Sequence, residues 1–161
     1  MLKSMDENEL KTAISNYIKA TDSVEEALSQ GTDLDKRAPE GWSARMVVHH
    51  LADSETSSYS RLRSLLAEKT TPTLMGYDEG TWAITPALGY ETSDIKNSLA
   101  VYKAVRASSA DVLNRITVAD LAKEGIHSES GKYTIEKWLK NYTQHPISHA
   151  EQIVKAFKGL A

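Results

Sequence analysis

Residues 134–157 read TIEKWLKNYTQHPISHAEQIVKAF. Ile135, Trp138, Leu139, Tyr142, His145, His149, Ile153 and Phe157 recur there at steps of three and four, the spacing that lines side chains along one face of a helix. Thr134 stands before the stripe as its N-cap, a hydroxyl able to take a backbone N–H that a helix start leaves free. The stripe opens as a core face and then carries two histidines four apart. Such a pair projects from one side of a helix, one turn apart, where two imidazoles can share an ion. Pro146 rather than glutamate follows His145, so the His-Glu-x-x-His pattern of metalloproteases is absent. The same proline cannot donate an N–H to the Tyr142 carbonyl, and a kink is expected between the two histidines.

Three further segments carry the same periodicity. Trp42 leads to Ser43, a second N-cap, and then to a stripe of Met46, Val47, His50, Leu51, Ser54, Ser58, Leu62 and Leu65. From Ser43 to Ala67 this predicts roughly 36 Å of helix. Residues 6–29 form a first helix, with Ser4 and Glu7 spaced as a capping box and Gly31 beyond its end. A third helix is expected to be capped by Ser93 and to carry Ile95, Leu99, Tyr102, Val105, Val112, Leu113 and Ile116. Between the second and third, residues 68–92 hold Pro72, Gly76, Gly80, Pro86 and Gly89, which excludes one regular element. A connection of that length crosses over a bundle and lets the flanking helices run parallel, with one short helical turn at Asp78–Ile84. A second connection spans residues 117–133. No segment alternates convincingly as a strand, so the class is all-α: a four-helix bundle, residues 1–161 forming one domain.

Period also sorts the five histidines. His50 lies three and four residues after Val47 and Met46, on the buried stripe, while His49 is turned about 100° away. His127 falls in a connection and reads as a surface residue. Three inward histidines on two helices, His50, His145 and His149, suit zinc, nickel, copper or ferrous iron, provided those helices are neighbours. The alternative for each is a hydrogen-bonded core histidine.

Composition narrows the classes. A net charge of -3 gives no basic face for nucleic acid, and the absence of cysteine removes disulfides, thiolate ligands and thiol nucleophiles. The first residues, Met-Leu-Lys-Ser-Met-Asp-Glu-Asn-Glu, are polar and acidic and show no secretory pattern. With no apolar run of the ~18–20 residues that span a bilayer, the expectation is a soluble cytoplasmic protein with no membrane partner.

Trp42-Ser43-Ala44-Arg45 leading into Val47-Val48-His49-His50-Leu51-Ala52-Asp53-Ser54 resembles the second helix of the DinB-like superfamily. Tyr133-Thr134-Ile135-Glu136-Lys137-Trp138-Leu139 and His145-Pro146-Ile147-Ser148-His149-Ala150-Glu151-Gln152-Ile153 resemble its fourth. Thr71-Pro72-Thr73, Tyr77-Asp78-Glu79 with Trp82, and Tyr59-Ser60-Arg61 are similar to the YfiT-like branch of metal-dependent hydrolases. The resemblance implies a long-crossover bundle and one nickel or zinc ion, with the ligands falling on His50, His145 and His149. It also implies an enzyme acting on a small molecule. Both a hydrolase and an S-transferase using a low-molecular-weight thiol such as bacillithiol, mycothiol or glutathione belong to such relatives. A non-catalytic metal-binding or small-molecule-binding bundle is the alternative, and a homodimer is among the assemblies left open.

Three protein ligands leave coordination positions open, as catalytic rather than structural sites do. Ser54 is the candidate assisting group on the inward stripe, whereas Asp53 and Glu55 read as solvated or paired. Tyr77, Asp78, Glu79 and Trp82 either cover the site or serve turn chemistry with one anchoring aromatic. Arg61 and Arg63 either receive a carboxylate, which a guanidinium binds bidentately, or lie on a solvated face. Glu151 should point away from His149.

Overall fold

A computed structural model of the chain describes residues 5–161. Four long helical stretches make the bundle. The first is split into α1 (Glu7–Ala20) and α2 (Ser23–Leu28), and the others are α3 (Ala44–Ala67), α5 (Lys96–Leu113) and α6 (Ile135–Phe157). A short helix, α4 (Glu79–Ile84), lies in the long crossover. The caps of α3 and α6 are those the sequence predicts: Ser43 accepts from Met46 N and Thr134 from Lys137 N.

Elsewhere the punctuation differs. Ser4 lies outside the described residues; the capping box at the start of α1 is formed by Asp6 and Glu9, each side chain bonding the other's backbone N–H. α5 begins after Ile95, not Ser93, and its Lys96 N–H is taken by Asp94 at 2.6 Å. Gly31 serves close approach: a Cβ there would stand 2.4 Å from the Phe157 ring. The connections also contain strands that the sequence reading excluded. β1 (Thr73–Leu74) pairs parallel with β2 (Glu124–His127), which pairs antiparallel with β3 (Gly131–Thr134). At two to four residues each, they are too short to show alternation. Their effect is to tie the long crossover to the second connection.

α3 packs against α5 and α6, and α1 packs against the same two. His49 meets Ser98 and Arg63 meets Ser108, so α3 and α5 run parallel, as a long crossover permits. α6 runs antiparallel to α3, with Trp138 bonding the Ser58 carbonyl and His145 near His50. No helix among the described residues is long and apolar enough to cross a membrane.

The bundle core is in two main parts, with a smaller cluster of Met46, Ala83 and Tyr90 under the crossover. One cluster gathers Tyr17, Leu62, Leu113 and Trp138; the other gathers Val24, Leu51, Tyr102 and Ile153. Between the two, each of the four helical stretches contributes a polar residue, Thr21, Glu55, Arg106 and His145, of which Glu55 and Arg106 are fully buried. The bundle therefore carries a buried polar layer at mid-height.

Candidate metal centre

α3 and α6 bring His50, His145 and His149 together, with one ring nitrogen of each lying within 4.8 Å of the others. The Nε2 atoms of His50 and His145 are 3.3 Å apart, and the His149 ring centroid is 4.6 Å from both other rings. His50 is fully buried and the other two are half-buried.

The outer ring nitrogens have their own partners. Nδ1 of His145 faces Glu55 Oε1 at 3.3 Å, Nδ1 of His149 faces the Gln152 carboxamide oxygen at 2.8 Å, and Nδ1 of His50 faces the Tyr77 hydroxyl at 3.3 Å. The Glu55 and Gln152 oxygens are acceptors that hold the proton on Nδ1 of His145 and His149 and leave Nε2 free, the usual arrangement behind a metal-binding imidazole, while the Tyr77 hydroxyl can take either role toward His50. The 3.3 Å approach of the His50 and His145 Nε2 atoms suits a shared proton or a shared cation, and the third imidazole beside them adds a further nitrogen ligand. The donor set therefore fits one divalent ion.

Glu55 is the site residue that sequence reading missed. It is completely buried, as is its partner Arg106, whose Nη1 lies 2.8 Å from Glu55 Oε1. Arg106 also donates to the Thr21 hydroxyl and to the Tyr17 and Tyr142 carbonyls, each at 2.8 Å. The Tyr142 carbonyl is the one that Pro146 cannot serve. α6 therefore continues through Pro146, with a guanidinium taking the place of the missing N–H. The only signal in the sequence was an arginine between Tyr102 and Leu113 on the stripe of the third helix.

The other predicted residues divide clearly. Ser54 Oγ is 3.4 Å from His145 Nε2, and Tyr77, its hydroxyl beside His50, packs tilted against Trp82 with ring centroids 4.4 Å apart. Arg61 donates to the Tyr142 hydroxyl at 2.8 Å and to the Met75 carbonyl. Asp78 is outside the site: its carboxylate caps α4 through Thr81, which holds its pKa low. Arg63 lies over the Tyr59 ring. His49 is turned away from the triad, as expected, and is buried on another face, bonding Ser98 and the Ser93 carbonyl. Asp53 accepts from the Tyr90 hydroxyl at 2.6 Å. His127 is buried on β2, not a surface residue. Glu151 is exposed, as expected. Beside His145 the triad opens on a cleft of about 300 Å³ walled by Ser54, Arg61, Tyr77 and Tyr142.

Burial, reinforced by repulsion from the neighbouring imidazoles, lowers the pKa of metal-free His50 to about 3. Burial and His145 lower that of His149 to about 4. Both lie below the unfolded value of about 6.5. As pH falls, the unfolded chain takes up these protons first, so the stability present above about pH 6.5 is lost toward acid. Each histidine contributes a slope of up to about 1.4 kcal/mol per pH unit. Urea unfolding of chelator-treated protein between about pH 7 and 5, above the main carboxylate titrations, should show this decline, with a shallower slope in His50→Ala. A flat profile would contradict it.

Together these features define a four-helix bundle with a three-histidine cluster between two of its helices. The chain belongs to the DinB superfamily, whose model matches residues 9–153. It is 32% identical over 118 residues to a protein of Oceanobacillus iheyensis named "Putative metal-dependent hydrolase", covering 73% of this chain and 66% of that protein. A Bacillus cereus protein of the same name is 31% identical over 74% of this chain and 67% of its own length. Among solved structures, YfiT from Bacillus subtilis superposes with a TM-score of 0.86 at 27% identity, covering 100% of this chain and 94% of YfiT. YfiT is described as "a probable metal-dependent hydrolase with an unusual four-helix bundle topology".

Proposed function

We propose that this chain is a metal-dependent hydrolase of a small molecule, with one zinc or nickel ion held by His50, His145 and His149. The observation that carries the reading is the convergence of one ring nitrogen from each of three histidines whose Nδ1 atoms already have partners. A divalent ion held there by three ligands supplies Lewis acidity and open coordination positions.

The chain's own groups do the rest. Glu55 and Gln152 orient the imidazoles of His145 and His149. Burial raises the pKa of Tyr77, so its phenol stays protonated at neutral pH and can donate to an oxygen of the substrate as negative charge develops there. Ser54 offers a second hydroxyl on the same side, and Trp82 backs Tyr77 against water. Arg61 holds the cleft wall to α6 through Tyr142. The names of the relatives favour hydrolysis over thiol transfer, which none of those named above carries.

A panel of small esters, lactones and amides, run with zinc- or nickel-loaded protein and with chelated protein, tests the reading. Turnover should require metal and be lost in His145→Ala. Conjugation of monochlorobimane to a low-molecular-weight thiol, with no hydrolysis of any panel member, would replace the hydrolase reading by S-transfer.

A further inference from the structure

The cleft beside the triad holds more hydrogen-bonding capacity than the protein uses. His127 is only 8% exposed and lines it. Its Nδ1 accepts from the Glu129 backbone N–H at 3.2 Å, so the proton of the neutral ring sits on Nε2. That N–H has no protein acceptor among the described residues. The Tyr142 hydroxyl accepts from Arg61 and the Tyr133 hydroxyl accepts from Asn141 at 3.1 Å. Neither donates its own proton to any described residue. Burial raises the pKa of both phenols and lowers that of His127, so all three stay donors at neutral pH. With the Arg61 guanidinium they form a wall of donors.

Glu79 and Glu129 line the same cleft. The ion pairs among the described residues include neither of these carboxylates nor Arg61. Arg61 spends its donors on a phenol and a carbonyl instead. The cleft thus carries both signs of charge with no ion pair between them, its two carboxylates standing exposed at the rim. A ligand that is only an anion meets two carboxylates, and one that is only a cation meets a guanidinium.

We infer that this cleft is a binding site for a small zwitterion, an amino-acid-like molecule. Its carboxylate lies against Arg61, His127, Tyr133 and Tyr142, and its ammonium lies toward Glu79 and Glu129. The role of this molecule as substrate rests on the hydrolase reading above; its binding does not.

Nuclear magnetic resonance titration of zinc-loaded protein with γ-aminobutyrate, butyrate and butylamine tests the site through the ring signals of His127 and Tyr133. The zwitterion should bind about tenfold or more tighter than either singly charged probe. Tyr133→Phe and Glu79→Gln should each weaken it several-fold while zinc content stays at one per chain. The same titration with chelated protein should still show binding. Equal affinity for butyrate or for butylamine overturns the zwitterion assignment, as does no binding of any probe. Binding confined to zinc-loaded protein and unchanged by Tyr133→Phe places the carboxylate on the ion and also overturns it. Failure to load zinc with zwitterion binding intact would remove the metal reading alone.

Discussion

Arg106→Met is expected to cost about 3–5 kcal/mol of folding stability, the range for breaking a fully buried ion pair from one side. Arg106 and Glu55 are both wholly buried and 2.8 Å apart, so the variant strands a carboxylate with no solvent to receive it. It also strands the Tyr17 and Tyr142 carbonyls, which lie at the end of α1 and opposite Pro146. At about 2–4 °C per kcal/mol for a chain of this size, melting should fall by roughly 10 °C. The companion variants separate the causes. Glu55→Leu in the Arg106→Met background removes the stranded charge and should recover part of the loss, because a buried ion pair adds little over a well-packed apolar pair. Pro146→Ala in that background returns an N–H to the Tyr142 carbonyl and should restore about 1 kcal/mol. Urea unfolding of the four proteins decides it. If Arg106→Met cost less than about 1 kcal/mol, the buried polar layer would not act as a unit.

The second large effect concerns metal. With zinc or nickel at about a thousand times its dissociation constant, binding to the folded state alone adds about 4 kcal/mol of stability. His50→Ala should abolish that gain at the same metal concentration, and His145→Ala and His149→Ala should act likewise. His49→Ala, one residue along α3, should lose some stability through its bonds to Ser98 and Ser93 but keep the full metal-dependent gain and one ion per chain. Melting with and without metal, alongside metal analysis of chelator-free preparations, reads both. A metal-dependent gain that persists in His50→Ala would place the ion elsewhere, and loss of metal in His49→Ala would move the site by one residue.

Much of this was written along the chain. Helical period put His50, His145 and His149 on inward stripes and turned His49 away from them, because side-chain direction on a helix depends on nothing beyond spacing. Ser43 and Thr134 fixed two helix starts, since a cap is a bond within one turn. The glycines and prolines of residues 68–92 announced a crossover, because they forbid a regular element locally.

What needed the tertiary structure was adjacency. No periodicity states that α3 lies beside α6 and diagonal to α1, yet only that neighbourhood turns three inward histidines into one cluster. The three-stranded sheet joins segments some fifty residues apart through strands too short to carry a pattern. Glu55 read as solvated or paired because a carboxylate is stable inside a bundle only when a cation meets it, and Arg106 approaches from another helix. Pro146 read as a kink for the same reason: the sequence shows the N–H it lacks, and only packing supplies the Arg106 guanidinium that takes its place. Local bonds are decided by spacing along one chain, whereas the energy of a buried charge is decided by whatever folds against it.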